Sequence, residues 1–265
     1  MCEPEPQFLT VGDGERARQI AYTHVPAPQP GGTGLVWLIG LKSDMASSKA
    51  TALADWAPAN GFGMTRFDYS GHGRSGGDFQ QATIGDWLEE TQAVFERLTA
   101  GPQIVIGSST GGHIALVLLR ALLREAPAQA RRVKGLVLIA PAWDLTEELM
   151  WGEMDAATRA ELMTRGVIYR PSEYGQPLPI TRQFIEEGRD HLLNAEPFDP
   201  GRPVVILQGA LDRDVPLAHA RRLAGFLTGG WAELIEIPDG EHRLARPQDL
   251  ALLFQAIRRI EDLTA

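Results

Sequence analysis

A single cysteine, Cys2, leaves the chain without an internal disulfide and without a C-x-x-C metal or redox site. Cations are also short: 25 Lys and Arg stand against 34 Asp and Glu, a net charge of −9. Phosphate recognition needs clustered positive charge, so nucleic acid is not an expected partner. The pairs Arg131-Arg132, Arg221-Arg222 and Arg258-Arg259 lie beside acids or on helical patterns and read as solvated faces. No apolar run approaches the ~18 to 20 residues that span a bilayer. The opening "MCEPEPQF" carries Pro and Glu where a signal peptide has a basic segment followed by an apolar one. Cys2 likewise lacks the apolar region that precedes a lipidated cysteine. These shortages predict a soluble, cytoplasmic protein, and richness in Ala, Gly and Arg suits a GC-rich bacterial genome.

What is present is a large apolar fraction, 44% of 265 residues, enough for one sizeable core. Residues 1–265 are therefore expected to form a single domain. "QFLTV" and "ARQIAYTHV" flank the turn signal Gly12-Asp13-Gly14 and predict an opening hairpin. Apolar strand-length runs then alternate with helical patterns: "GLVWLIG", "GMTRFDY", "PQIVIG", "VKGLVLIAP", "RPVVILQG" and "AELIEIP" are the strands. Strands apolar on both sides, separated by helices, indicate a mostly parallel twisted sheet of about eight strands covered on both faces. Between Pro141 and Pro203 the alternation fails, although such connections are usually short. Residues 142–202 are expected to form a helical lid, with helices near Thr146–Arg165 and Ile180–Asn194.

Two segments spell G-x-S-x-G: Gly107-Ser108-Ser109-Thr110-Gly111 and Gly73-Arg74-Ser75-Gly76-Gly77. A nucleophile elbow needs a strand immediately before the serine and a helix immediately after it, with small residues flanking the strained turn. "QIVI" precedes Ser109 and "GGHIALVLL" follows it, whereas no helix begins behind Ser75 until about Ile84. Ser109 is the expected nucleophile, and Gly73–Gly77 a loop. The new helix also aims its free N–H groups at the serine and favours negative charge there.

On such a fold the acid and the histidine follow the serine in that order. "VVILQGALDRDVP" supplies an acid just after a strand, and "AELIEIPDGEHRL" supplies His242 after the next. Asp212 is the expected partner of His242; Asp214 competes, or serves only as a cap before Val215-Pro216. His219 also follows the acid but sits in a helical pattern as a surface or packing residue. Donors for a tetrahedral oxyanion would be the backbone N–H of Thr110 and one from "IGLKSDM", where Leu41 is the candidate and a plain apolar loop residue the alternative. Asp44 reads as a loop anchor or a cap for the helix near Ser47.

These residues resemble the serine α/β-hydrolases over essentially the whole chain. Gly40-Leu41 stands at the oxyanion position, without the histidine often found there, and "FDYSGHGRSGG" resembles the family's D-x-x-G-x-G-x-S loop. "LIGLKSDMASSKA", "IGSSTGGHIAL" and "GEHRLARPQDL" are similar to the branch of the mitochondrial acyl-protein thioesterase that also cleaves mycophenolic acid acyl-glucuronide. The resemblance implies Asp212, three residues after Gly209, as the acid. It further implies hydrolysis of esters or thioesters, fatty-acyl thioesters above all, with no metal or organic cofactor. A small-molecule or acyl-chain substrate is the expected partner. "WDLTEELMWGEM", rich in Trp, Leu and Met, suits a cover for an acyl chain, though such stripes also pack cores. The same three residues could serve C–C bond hydrolysis, lactone opening or perhydrolysis, and a ligand-binding protein with little turnover is a rival of another class.

Overall fold

The computed structural model describes residues 5–171, 176–193 and 196–264; Cys2 and Asn194 lie outside them. Strands β1 (Gln7–Val11) and β2 (Arg18–Val25) form the opening hairpin, with a short 3-10 turn at Gly14–Arg16. Strand β3 (Gly34–Leu38), helix α1 (Ser48–Ala59), strand β4 (Gly63–Phe67), helix α2 (Ile84–Leu98) and strand β5 (Gln103–Ser108) follow. Helix α3 (Thr110–Glu125), the single turn α4 (Pro127–Ala130) and strand β6 (Val133–Ile139) complete the first half.

The insertion then holds a π-helical turn at Thr146–Trp151, helix α5 (Ala156–Arg165), strands β7 (Val167–Arg170) and β8 (Leu178–Thr181), and helix α6 (Arg182–Gly188). Strand β9 (Val204–Gly209), helix α7 (Leu217–Phe226), strand β10 (Ala232–Ile237) and helix α8 (Pro247–Leu263) close the chain.

Eight strands form one sheet in the order β1-β2-β4-β3-β5-β6-β9-β10. All neighbours from β4 to β10 run parallel, and β1 and β2 add the antiparallel edge. The apolar strands behave as their composition requires: β3, β4, β5 and β9 are buried at every position. Helices α1 and α8 stack Trp56 on Phe254 against one face, while α2 and α3 pack together on the other. The mostly parallel eight-stranded architecture read from the sequence is what the chain adopts.

The insertion differs from the expected pair of helices. Helical pattern at Thr146–Arg165 is broken at residues 152–155, with Asp155 capping the new helix through Thr158 N–H at 2.7 Å. Between the two helices, β7 and β8 pair antiparallel, Ile168 opposite Ile180. The second helix is only seven residues long, begins at Arg182 rather than Ile180, and is capped by the Thr181 hydroxyl. The base of the insertion is clamped to the core. Asp144 N–H donates to His113 Nδ1 on α3 (3.1 Å), and Asp144 Oδ1 accepts from Leu193 N–H (2.8 Å).

Strands β3 and β5 are neighbours whose connections leave in opposite directions, β3 through α1 to β4 and β5 through α3 to β6. A crevice opens at the carboxyl ends of strands at such a switch point. Gly40-Leu41 and Ser109 stand at that place.

Candidate active site

Ser109 occupies a tight turn between β5 and α3, with φ 53° and ψ −117°. A non-glycine residue held there costs of order 1–3 kcal/mol and persists only when its surroundings enforce it. Here they do. Ser109 N–H donates to Ile139 O (2.8 Å), and its carbonyl accepts from Gly112 N–H (2.9 Å) and Ala142 N–H (3.1 Å). The flanking glycines are required by space: a Cβ at Gly107 would lie 2.2 Å from Gly111 O, and one at Gly111 would lie 2.2 Å from Leu38 O.

The three residues singled out in the sequence come together across 133 and 30 positions of chain. His242 Nε2 lies 3.2 Å from Ser109 Oγ, and His242 Nδ1 lies 2.8 Å from Asp212 Oδ2. Asp212 is fully enclosed, and both its oxygens are occupied by donors. Oδ1 accepts from Asp214 N–H (2.9 Å) and Val215 N–H (2.8 Å), while Oδ2 also accepts from Gln208 Nε2 (3.0 Å). The competing acid, Asp214, thus lends its backbone to Asp212. Four donors on one carboxylate fix its direction.

The second G-x-S-x-G segment has a different fate. Ser75 Oγ donates to Asp68 O (2.6 Å) and accepts from Ala21 N–H (2.8 Å), which spends the hydroxyl on joining the loop to β2. Asp68 binds the same loop to the one after β3: Oδ1 accepts from Met45 N–H (2.6 Å) and Oδ2 from Arg74 N–H (2.8 Å). Asp44 anchors its own loop through Ala46 N–H (2.9 Å). His219 is buried, bonded through Nε2 to Trp143 O (2.9 Å), and packs the base of the insertion against α7.

Thr110 opens α3, so its N–H belongs to the first turn and has no intrahelical acceptor. Gly40 lies against the serine: a Cβ there would sit 3.2 Å from Ser109 Cβ. Leu41, the next residue, is therefore beside the nucleophile. It also lines an enclosed apolar cavity of about 10 Å³, together with Phe79, Met150, Pro179, Ile180 and Phe184. The broader depression, about 650 Å³, lies along Gln80, Thr181, Arg182 and Glu186 on the outside of the insertion and touches none of these site residues.

Gln208, His72 and Lys49 escaped the sequence reading. Gln208 sits inside an apolar strand pattern, and only its 3.0 Å bond to Asp212 reveals it. Lys49 Nζ donates to the carbonyl of Arg243, beside His242, and burial lowers its pKa to about 8. His72 lay within a loop already explained by its glycines.

Among the described residues, Asp212, Asp214 and His242 could gather a metal ion, with ligand atoms within 4.8 Å of one another. The Asp212 oxygens are already filled by N–H donors, an arrangement suited to orienting an imidazole.

Residues 43–174 match the family described as serine aminopeptidase, S33. The mitochondrial palmitoyl-protein thioesterase ABHD10 of Mus musculus is 30% identical over 248 residues, covering 92% of this chain and 78% of the relative. The chain belongs to the serine α/β-hydrolases. Within that family its likeness is to the thioesterase branch. Mouse alpha/beta hydrolase domain-containing protein 10 superposes with a TM-score of 0.85 at 28% identity, over 99% of this chain and 100% of that one. A putative hydrolase from Agrobacterium vitis S4 gives a TM-score of 0.93 at 42% identity, over 97% and 98%. No helix among the described residues of this family member is long and apolar enough to cross a membrane.

Proposed function

We propose that this α/β-hydrolase cleaves carboxylic esters or thioesters through an acyl-enzyme on Ser109, with fatty-acyl thioesters its favoured class. The observation that carries the reading is the hydrogen-bonded series Ser109–His242–Asp212 at the mouth of a strained elbow. His242 Nε2 takes the Ser109 proton as Oγ attacks the acyl carbon, then gives it to the departing alcohol or thiol. Asp212 holds the tautomer with Nδ1–H and stabilises the imidazolium. Leu41 and Thr110 N–H groups receive the negative charge that gathers on the carbonyl oxygen. Water then repeats the sequence and frees the acid. The triad makes its own nucleophile, so the proposed cycle calls for no cofactor.

The thioester preference rests on the relatives, which are named palmitoyl-protein thioesterases. The proposed lid, residues 142–202, is supported by Met150, Ile180 and Phe184, which line one small cavity together with Leu41. That cavity has room for roughly one water, so an acyl chain enters it only as the insertion moves. The deciding experiment is a chain-length series of p-nitrophenyl esters beside matching acyl-cysteine thioesters, on the wild type and Ser109→Ala. Long-chain thioester preference lost in the variant supports the reading. Turnover of short esters alone removes the thioesterase assignment, and activity surviving in Ser109→Ala removes the nucleophile.

A further inference from the structure

His72 bonds to the loop that carries Leu41, and the chemistry described above leaves it without a task. It is buried, with Tyr69, Phe79 and Trp87 rings at 6.0, 5.2 and 5.2 Å. Its ring is bonded at both nitrogens. Nδ1 lies 3.2 Å from Ser70 O, a pure acceptor, so Nδ1 carries the proton. Nε2 then accepts from Lys42 N–H, at 3.1 Å.

Lys42 is the residue that needs holding. Gly40, Leu41, Lys42 and Ser43 form a turn closed by Ser43 N–H on Gly40 O at 3.1 Å. Lys42 takes φ 57° in its third position, where such turns usually place glycine or asparagine. A side chain there is strained. Rotating the Leu41–Lys42 peptide would relieve the strain, but it would turn the Lys42 N–H away from His72 and change ψ at Leu41. Lys42 Nζ, 3.8 Å from the centre of the Phe79 ring, adds a second hold on the same residue.

We infer that His72 is a positioning residue: by accepting the Lys42 amide it locks the Gly40–Ser43 turn and thereby aims Leu41 N–H at the acyl oxygen. The inference rests on the proposed acyl transfer at Ser109. Burial, with Lys42 nearby and only partly offset by Ser70 O and Asp44, pushes the His72 pKa down to about 4. The imidazole therefore stays neutral, as an acceptor must, above that pH.

His72→Gln and His72→Asn divide the two bonds. Glutamine can place an oxygen near the Nε2 position and keep an acceptor for Lys42. Asparagine reaches only the Nδ1 position and loses it. The measurement is kcat and KM on a p-nitrophenyl ester, with Ki for an arylboronic acid as the tetrahedral analogue. His72→Asn is expected to lower kcat on the order of 10-fold or more and raise the boronate Ki in parallel, with KM changed less than about 3-fold. His72→Gln stays within about 3-fold of wild type in all three. In a Lys42→Gly background, where positive φ costs little, the loss from His72→Asn shrinks.

Equal losses in both variants, a loss confined to KM, or no loss in either overturns the role. If the asparagine variant does not fold, the glutamine variant decides: kcat kept supports the role, and a loss above about 10-fold overturns it. Ser109→Ala, run alongside, separates the two claims. Wild-type turnover that survives in it removes the hydrolase reading and the His72 role together, whereas turnover abolished there leaves the His72 variants to judge His72 alone.

Discussion

Gln208 and His242 meet on a single oxygen, Oδ2 of Asp212, at 3.0 and 2.8 Å. The amide of Gln208 also donates to Val215 O at 2.9 Å, which ties the end of β9 to the loop carrying the acid. Replacing Gln208 with Leu removes both contacts. The expected outcome is a stability loss of about 1–3 kcal/mol together with a fall in kcat on the order of 10-fold. Urea unfolding and steady-state kinetics would check it; an unchanged kcat would mean that backbone donors alone orient Asp212.

Two acids compete on paper and one wins in space. Asp212→Asn preserves shape but disturbs the tautomer of His242, so kcat is expected to fall on the order of 10⁴-fold. Asp214→Asn keeps the backbone N–H that serves Asp212 Oδ1 and is expected to change kcat less than about 5-fold. A reversal of these effects in a side-by-side assay would assign the acid to Asp214.

Much of this was legible in the amino-acid order, and the reasons are local. The elbow is readable because strand, glycine, serine and helix are contiguous from Gln103 to Leu119. The parallel sheet is readable because strands buried on both faces are mostly apolar. The strand pair of the insertion escaped because Val167–Arg170 and Leu178–Thr181 are four residues each, too short for a period to emerge. Gln208 and His72 escaped for another reason: each acts through hydrogen bonds set by the fold, His72 on a residue 30 positions away.

Glycine replacements separate a required close approach from an idle one. Gly107→Ala and Gly111→Ala would drive a Cβ to 2.2 Å from backbone oxygens, and neither protein is expected to fold at 37 °C. Gly225, inside α7, has nothing within 4 Å of such a Cβ, and Gly225→Ala is expected to gain about 0.5–1 kcal/mol. Thermal melts of the three variants test the contrast.

Beneath the loop that carries His72 lies a buried carboxyl. Glu90 Oε2 accepts from Ser70 N–H at 2.9 Å, and Arg18 Nε lies 2.7 Å from Oε1 as an ionic contact rather than an aligned hydrogen bond. Burial outweighs these partners and raises the Glu90 pKa to about 7. A carboxyl raised in the fold contributes stability that is complete below its unfolded pKa and is lost as pH climbs to the folded one. The wild type should therefore lose stability relative to Glu90→Gln between about pH 4.5 and 7, by roughly 1.4 kcal/mol per pH unit at most. A difference between the two proteins that does not change with pH, followed by chemical unfolding, would contradict this.

The most direct test of the central claim is to trap the acyl-enzyme. Rapid mixing with a p-nitrophenyl ester, acid quench and intact-protein mass spectrometry would show whether the chain carries the acyl group. Peptide mapping would then show where. The account predicts one acyl adduct, on Ser109, formed with a burst of nitrophenol and absent from Ser109→Ala. A burst whose adduct maps to another residue, or turnover that never leaves an adduct on the chain, would contradict it.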